Sequence, residues 1–143
     1  LFKIIPRSVI NARVGRTIDL HGAGKAVKSY IHVRDVSRGE LAILERGSVG
    51  QLYHLSPDEG VSVRDLVRMI CNRIGVSFEE GTCDVAERPG QDAAYVIDST
   101  RAREELGWLP EISLREGIDQ VVSWIESHWD QIQKEPLEFV YKP

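Results

Sequence analysis

Two short stretches carry side chains that could grip an anion. Lys28-Ser29-Tyr30 sets a cation at the head of an apolar run that ends at Arg34-Asp35. Glu87-Arg88-Pro89-Gly90-Gln91-Asp92 holds a Pro and a Gly where they fix a sharp turn, which can aim Arg88 and its polar neighbours inward. Arginine suits phosphate because its planar fork of donors matches two oxygens at once. Taken alone, each stretch reads more simply as a solvated charged loop. The four histidines are His21, His32, His54 and His128, and none pairs with another at metal-ligand spacing. His32 lies in an apolar run and reads as a core or strand-end residue. His128 reads as solvated. His21 and His54 sit at or near predicted strand ends, where contact with a ligand stays open. Cys71 and Cys83 form no Cys-x-x-Cys or Cys/His pattern, so they read as two reduced thiols, one of them a small core residue.

The groups that would perform a reaction are not found. No Gly-x-Gly-x-x-Gly or Gly-x-x-Gly-x-x-Gly joins a strand to a helix, and a dinucleotide needs such glycines so that backbone can approach its pyrophosphate. Gly22-Ala23-Gly24 is too short and precedes a predicted strand. There is no Gly-x-x-x-x-Gly-Lys-Ser/Thr, Gly-x-Ser-x-Gly, His-Glu-x-x-His or Tyr-x-x-x-Lys; Tyr141-Lys142 are adjacent, not one helical turn apart. The expectation is a chain that does not catalyse by itself.

The elements that must position these residues follow from periodicity and caps. Residues 2–14 read as a helix entered near Pro6, since proline is tolerated in a first turn. Residues 18–21 and 28–33 alternate like strands, with Gly22-Ala23-Gly24 as the turn between them. Asp35 is expected to cap a helix to about Arg46, closed by Gly47. Residues 51–55 are a short strand candidate. Ser62-Val63-Arg64-Asp65 resembles a capping box, and Val63, Leu66, Val67, Ile70 and Ile74 form one stripe on a helix over 63–74. Residues 77–92 lack clear periodicity. A short extended piece over 94–97 precedes the cap Asp98-Ser99 and a brief helix over 100–106. Ser113-Leu114-Arg115-Glu116 is a capping box; behind it Leu114, Ile118, Val121, Val122, Ile125 and Trp129 mark one face of the last helix. These pieces predict a mixed α/β lobe of about five helices with short strands: a folded domain over 1–130 and an irregular tail over 131–143.

The 143 residues suffice for one small domain, and the net charge of −4 has acids and bases interspersed, which argues against a nucleic-acid binder with its basic stripe. No apolar run approaches the roughly 20 residues of a membrane span. A chain that opens Leu1-Phe2-Lys3 mid-pattern, without an initiator Met or a signal peptide, is expected to be a cytoplasmic fragment.

Several segments in order resemble the extended short-chain dehydrogenase/reductase family of nucleotide-sugar enzymes. They are Phe2-Lys3-Ile4-Ile5-Pro6-Arg7, the run from Gly15 to Gly24, Lys28 to Val36, Tyr53-His54-Leu55, Arg88-Pro89-Gly90-Gln91-Asp92 with Tyr95 to Asp98, Leu106-Gly107-Trp108-Leu109-Pro110, and the helix from Ser113 to Trp124. The resemblance covers about residues 2–129 and makes the folded domain over 1–130 the substrate-binding domain. The Arg-Pro-Gly-x-Asp form with Tyr three residues later is most like the dTDP-glucose 4,6-dehydratases of that family. CDP-glucose 4,6-dehydratases and UDP-sugar epimerases or decarboxylases share much of the pattern.

The resemblance implies an amino-terminal Rossmann domain that holds NAD, carries the Tyr-x-x-x-Lys pair and packs against this lobe, with no cofactor on the lobe itself. It implies a homodimer for the full-length enzyme, and a nucleoside diphosphate sugar as ligand. Carried over by position, Lys3 would lie near the nucleotide, and Asp19 and His21 would line the base pocket. Lys28 and Arg88 would reach the diphosphate, His54 would take the place of a phosphate-binding Asn, Gln91 would meet the nucleotide side, and Tyr95 would close the pocket. Lys28 stands where the family usually has Arg, and Ser29, His54 and Gln91 depart from its Asp, Asn and His. The alternatives are the same lobe of another nucleotide-sugar epimerase, decarboxylase or reductase, and a non-catalytic binding domain.

Overall fold

The computed structural model describes residues 1–136. Most of the hydrophobic core is built from helices. Helix α1 (Ile4–Arg13) starts at Lys3, with Pro6 in its first turn, where a missing N–H costs no intrahelical bond. Helix α3 (Val63–Ile74) and helix α6 (Leu114–Ser127) are each capped by a serine: Ser62 Oγ accepts from the Asp65 N–H at 3.0 Å, and Ser113 Oγ from the Glu116 N–H at 3.2 Å. The three apolar stripes meet through Val9, Ile10, Leu66, Ile70, Ile118, Val122 and Ile125. Burying each such side chain contributes roughly 1.5–3 kcal/mol, so this face is the main stabilising unit. Helix α7 (Trp129–Ile132), separated from α6 by a break at His128, adds Ile132 to the same cluster and carries the folded part past residue 130. Residues 137–143, half of the predicted tail and the site of Tyr141-Lys142, lie outside the described residues.

Two small sheets flank this core. Strand β1 (Ile18–His21) pairs in parallel with β4 (Thr82–Val85), and Ile18 and Leu20 point down onto Val67, Cys71 and Phe78. Strand β2 (Val27–Lys28) lies between antiparallel β3 (Val61–Ser62) and parallel β5 (Ala94–Tyr95). The third cluster, Ala42, Ala102, Leu106 and Trp108, joins helix α2 (Val33–Arg46) to helix α5 (Thr100–Leu106). Cys71 is buried beneath β1 and Cys83 is exposed on β4, both as free thiols.

The mixed α/β class stands, with seven α-helices rather than about five among the described residues. Four local expectations are corrected. The strand over 28–33 stops at Lys28, because β3 and β5 offer only two residues each to pair with. His32 is therefore not in a strand: it caps α2, its Nδ1 accepting from the Arg34 N–H at 3.1 Å. Asp35, expected as that cap, lies inside the first turn and is wholly buried, its carboxylate committed to another segment. Residues 51–55 form no strand, since no other segment among the described residues runs alongside to complete a ladder. Residues 77–92, without periodicity, contain helix α4 (Phe78–Gly81), capped by Ser77, and β4. Each has only four residues, too few to show a period.

Candidate functional site

The hairpin that begins with β1 is held down from α3. Arg64 Nε donates to the Ala23 carbonyl at 2.8 Å, and its Nη2 meets Asp84 Oδ1 at 2.5 Å, tying the Gly22–Gly24 turn to β4. Gly24 is required there: its φ is +68°, and a Cβ would meet the Arg64 backbone nitrogen at 2.9 Å. This clamp fixes the end of β1, where His21 pairs in register with Val85. The chain then runs from Val85 through Ala86 and Glu87 to Arg88, which brings Arg88 back over His21.

A cleft of about 170 Å³ opens between α1, β1 and this loop. Phe2, Ile4 and Ile18 form its apolar wall; Arg7, Ser8, Asn11, Asp19, His21 and Arg88 supply its polar groups. His21 Nδ1 lies 3.0 Å from the Ala86 carbonyl, and its Nε2 lies 3.0 Å from Arg88 Nη2. Ser8 is fully buried, and its hydroxyl has no hydrogen-bond partner among the described residues. The arrangement offers two guanidinium groups for an anion and a carboxylate, an amide and a hydroxyl for a polar ring.

Of the eight residues singled out in the sequence, Asp19, His21 and Arg88 meet in this cleft. Lys28 and Tyr95 form a second pair, opposite one another in the β2–β5 register, with Tyr95 exposed. The loop joins the two groups, since the Val27 N–H donates to the Ala93 carbonyl at 2.9 Å. Gln91 belongs to the turn itself: its N–H donates to the Arg88 carbonyl at 3.2 Å, and Gly90 takes the left-handed conformation there. Lys3 starts α1 outside the cleft lining, and His54 is exposed in the unpaired 51–55 segment. His54 is near the Asp98 carboxyl, whose pKa is lowered chiefly by hydrogen bonds from Thr100 and least by His54. Arg7, Ser8 and Asn11 were not anticipated. Their signal is helical spacing: 7 and 11 are four apart, so they share one face of α1 with 8 beside them.

Three larger clefts lie elsewhere among the described residues. One of about 360 Å³ is lined by Tyr30, Pro57 and Ile112 with Glu59 and Glu111, and holds no cationic side chain. Burial raises the Tyr30 pKa, so its phenol stays protonated there. A second, about 250 Å³ between α3 and α6, contains Arg73, paired with Asp119, and Arg115; a third, about 210 Å³ between α1, α3 and α6, contains Arg73 and Arg13, whose guanidinium lies over the Trp129 ring. Among the described residues no cluster of three His, Cys, Asp or Glu side chains could hold a metal ion, and no helix is long and apolar enough to cross a membrane. Gly22-Ala23-Gly24 leads from β1 through a tight turn into β2, not into the N-terminus of a helix where a pyrophosphate would sit.

Comparison with known proteins agrees with the motifs. The chain is 33% identical over 127 residues to dTDP-glucose 4,6-dehydratase of Streptomyces griseus, covering 88% of this chain and 38% of that protein. The solved dTDP-glucose 4,6-dehydratase of Streptomyces venezuelae, with NAD bound, superposes with a TM-score of 0.85 at 30% identity, over 95% of this chain and 41% of that one. UDP-glucose 4-epimerase of Thermotoga maritima, solved with UDP-glucose, gives a TM-score of 0.77 at 25% identity, over 88% of this chain and 38% of that one. The chain thus spans about 40% of the length of these relatives. The family model described as GDP-mannose 4,6 dehydratase matches residues 1–121. By that match, the chain belongs to the GDP-mannose 4,6 dehydratase family, among the nucleotide-sugar enzymes its motifs resemble.

Proposed function

We propose that this chain is the nucleotide-sugar-binding lobe of an NAD-dependent nucleotide-sugar 4,6-dehydratase, of the type that converts dTDP-glucose to dTDP-4-keto-6-deoxyglucose. The observation that carries the reading is Arg88, suspended over a cleft with a polar floor at the end of β1. The relatives' names and the Arg-Pro-Gly-x-Asp turn supply the substrate class. Arg88 neutralises the diphosphate, aided by Lys28 from the neighbouring sheet. Asp19 and His21 line the base side, with Asn11 and Ser8 of α1 adding polar contacts. Gln91 holds the turn on the nucleotide side, and Tyr95 closes over the ligand. Lys3 and His54 take their roles only when the rest of the whole enzyme covers this face.

The chemistry belongs to the remainder of the enzyme: a Rossmann half would hold NAD, which would supply hydride chemistry at the sugar. This lobe grips the nucleotide so that the sugar is presented to that half, as ligand sites commonly lie between domains. The full-length enzyme is a homodimer in this reading. The test is calorimetry of this chain with dTDP and with NAD, beside a turnover assay with dTDP-glucose. Weak dTDP binding, no NAD affinity and no turnover are expected. Turnover by this chain alone overturns the reading.

A further inference from the structure

The loop that carries Arg88 has no regular structure, yet the guanidinium is held at a defined place, and the contact that holds it is chemically specific. A carbonyl can only accept, so the His21 Nδ1 that lies 3.0 Å from the Ala86 oxygen carries the proton. A guanidinium can only donate, so the Nε2 that lies 3.0 Å from Arg88 Nη2 is the bare, accepting nitrogen. One donor and one acceptor define a neutral imidazole in the Nδ1–H form. We propose that His21 is a positioning residue: the neutral ring, anchored through Ala86, holds Arg88 over the cleft in the orientation that receives a diphosphate. This rests on the nucleotide-binding reading above and gives His21 a task other than touching the base.

Three features of the chain support that task. The His21 backbone is fixed by its register with Val85 and by the Arg64 clamp on the following turn, so the ring has a rigid base. Residue 86, the anchor, follows directly on β4, so both partners of the ring move with one two-stranded unit. The Glu87 carboxylate is packed against Gly22, where a Cβ would meet it at 2.4 Å. The acid between Ala86 and Arg88 is thereby seated over the turn beside β1. Arg88 uses one Nη on the ring, which leaves the other donors of its fork for phosphate oxygens.

The experiment compares dTDP binding by this chain with that of His21→Leu, which removes the acceptor, and His21→Gln, whose side-chain oxygen can accept from Arg88. Nitrogen-15 NMR reads the histidine tautomer and the Arg88 side-chain resonance in each protein. Freeing one long side chain should weaken dTDP binding roughly threefold to tenfold in His21→Leu, and His21→Gln should recover most of it. The wild-type ring should show the Nδ1–H form, and the Arg88 signal should shift in His21→Leu. Unchanged affinity in His21→Leu, no recovery in His21→Gln, or an Nε2–H ring overturns the proposal. If the wild-type chain binds no dTDP, the nucleotide reading itself fails. The positioning contact is then judged by NMR alone, and an Arg88 resonance unmoved by His21→Leu refutes it. If His21→Leu does not fold, His21→Gln against wild type, with the tautomer, decides.

Discussion

Replacing Asp35 with alanine should cost more stability than any other single truncation of a polar side chain in this lobe. The residue is wholly buried, and it joins α2 to the stretch that links α5 to α6. Its carboxylate accepts from the Glu111 N–H at 3.1 Å and from the Ile112 N–H at 3.0 Å, while Arg38 Nη1 approaches at 2.9 Å. Its backbone carbonyl accepts the Trp108 indole N–H at 2.9 Å, a bond that alanine would keep. Truncation removes the charged acceptor of two part-buried backbone N–H groups, at about 1–3 kcal/mol each. Arg38 adds little, because it is 40% exposed and keeps Glu111 at 2.6 Å. The expected loss is therefore about 2–6 kcal/mol, a large part of the roughly 5–15 kcal/mol that stabilises a typical domain. Asparagine keeps one accepting oxygen but turns an NH2 toward the second backbone donor, so Asp35→Asn should fall between wild type and alanine. Urea unfolding followed by circular dichroism reads the shift in midpoint at constant slope. A loss below about 1 kcal/mol would mean that these N–H groups find other partners and that Asp35 does not hold this join.

Arg88→Ala should weaken dTDP binding by roughly tenfold to a hundredfold, the value of a well-made charge-assisted contact. In the whole enzyme it should raise KM more than it lowers kcat, and an unchanged KM would make Arg88 a solvated loop residue. A thiol reagent should modify Cys83 rapidly and Cys71 only after unfolding. Cys71 is buried, and burial, with a smaller push from Glu79, raises its pKa, so it offers less of the reactive thiolate; equal rates in the folded chain would contradict the packing under β1. Light scattering over a concentration series should show self-association, because Leu41, Leu44, Val49 and Leu52 are all more than half exposed on one stretch of chain. Substituting Leu44 and Leu52 with serine should abolish it, whereas a strictly monomeric wild type would sink the idea.

Local signals were legible and non-local ones were not. Ser62, Ser113, Gly75 and Gly107 terminate helices where a sequence reading puts them, because a cap depends on three or four neighbouring residues. His32 and Asp35 exchanged roles because a buried carboxylate is worth more to the N–H groups of residues 111 and 112, more than seventy positions away, than to its own helix end. The alternation in 51–55 is real: Tyr53 and Leu55 pack on the third cluster while Leu52 and His54 face outward. A strand, however, needs a neighbour as well as a pattern, and none runs beside it among the described residues. The site follows the same division. Asp19, His21 and Arg88 could be chosen by motif, but their meeting depends on the β1–β4 pairing, and Arg7, Ser8 and Asn11 enter only because α1 lies across that ribbon.

That pairing also decides when the cleft can exist. Strand β1 meets β4, and β2 meets β5, across at least 60 residues of intervening chain, both in parallel. Closing a loop of that length costs roughly 4 kcal/mol of chain entropy before any ladder bond offsets it. The serine-capped helices α3 and α6 close only local turns and can form first. The cleft is thus expected to form late in folding, with α3 in place to receive Ile18 and Leu20. A chain interrupted between residues 48 and 60, outside any helix, should keep its helices while losing the ribbon that brings Arg88 to His21.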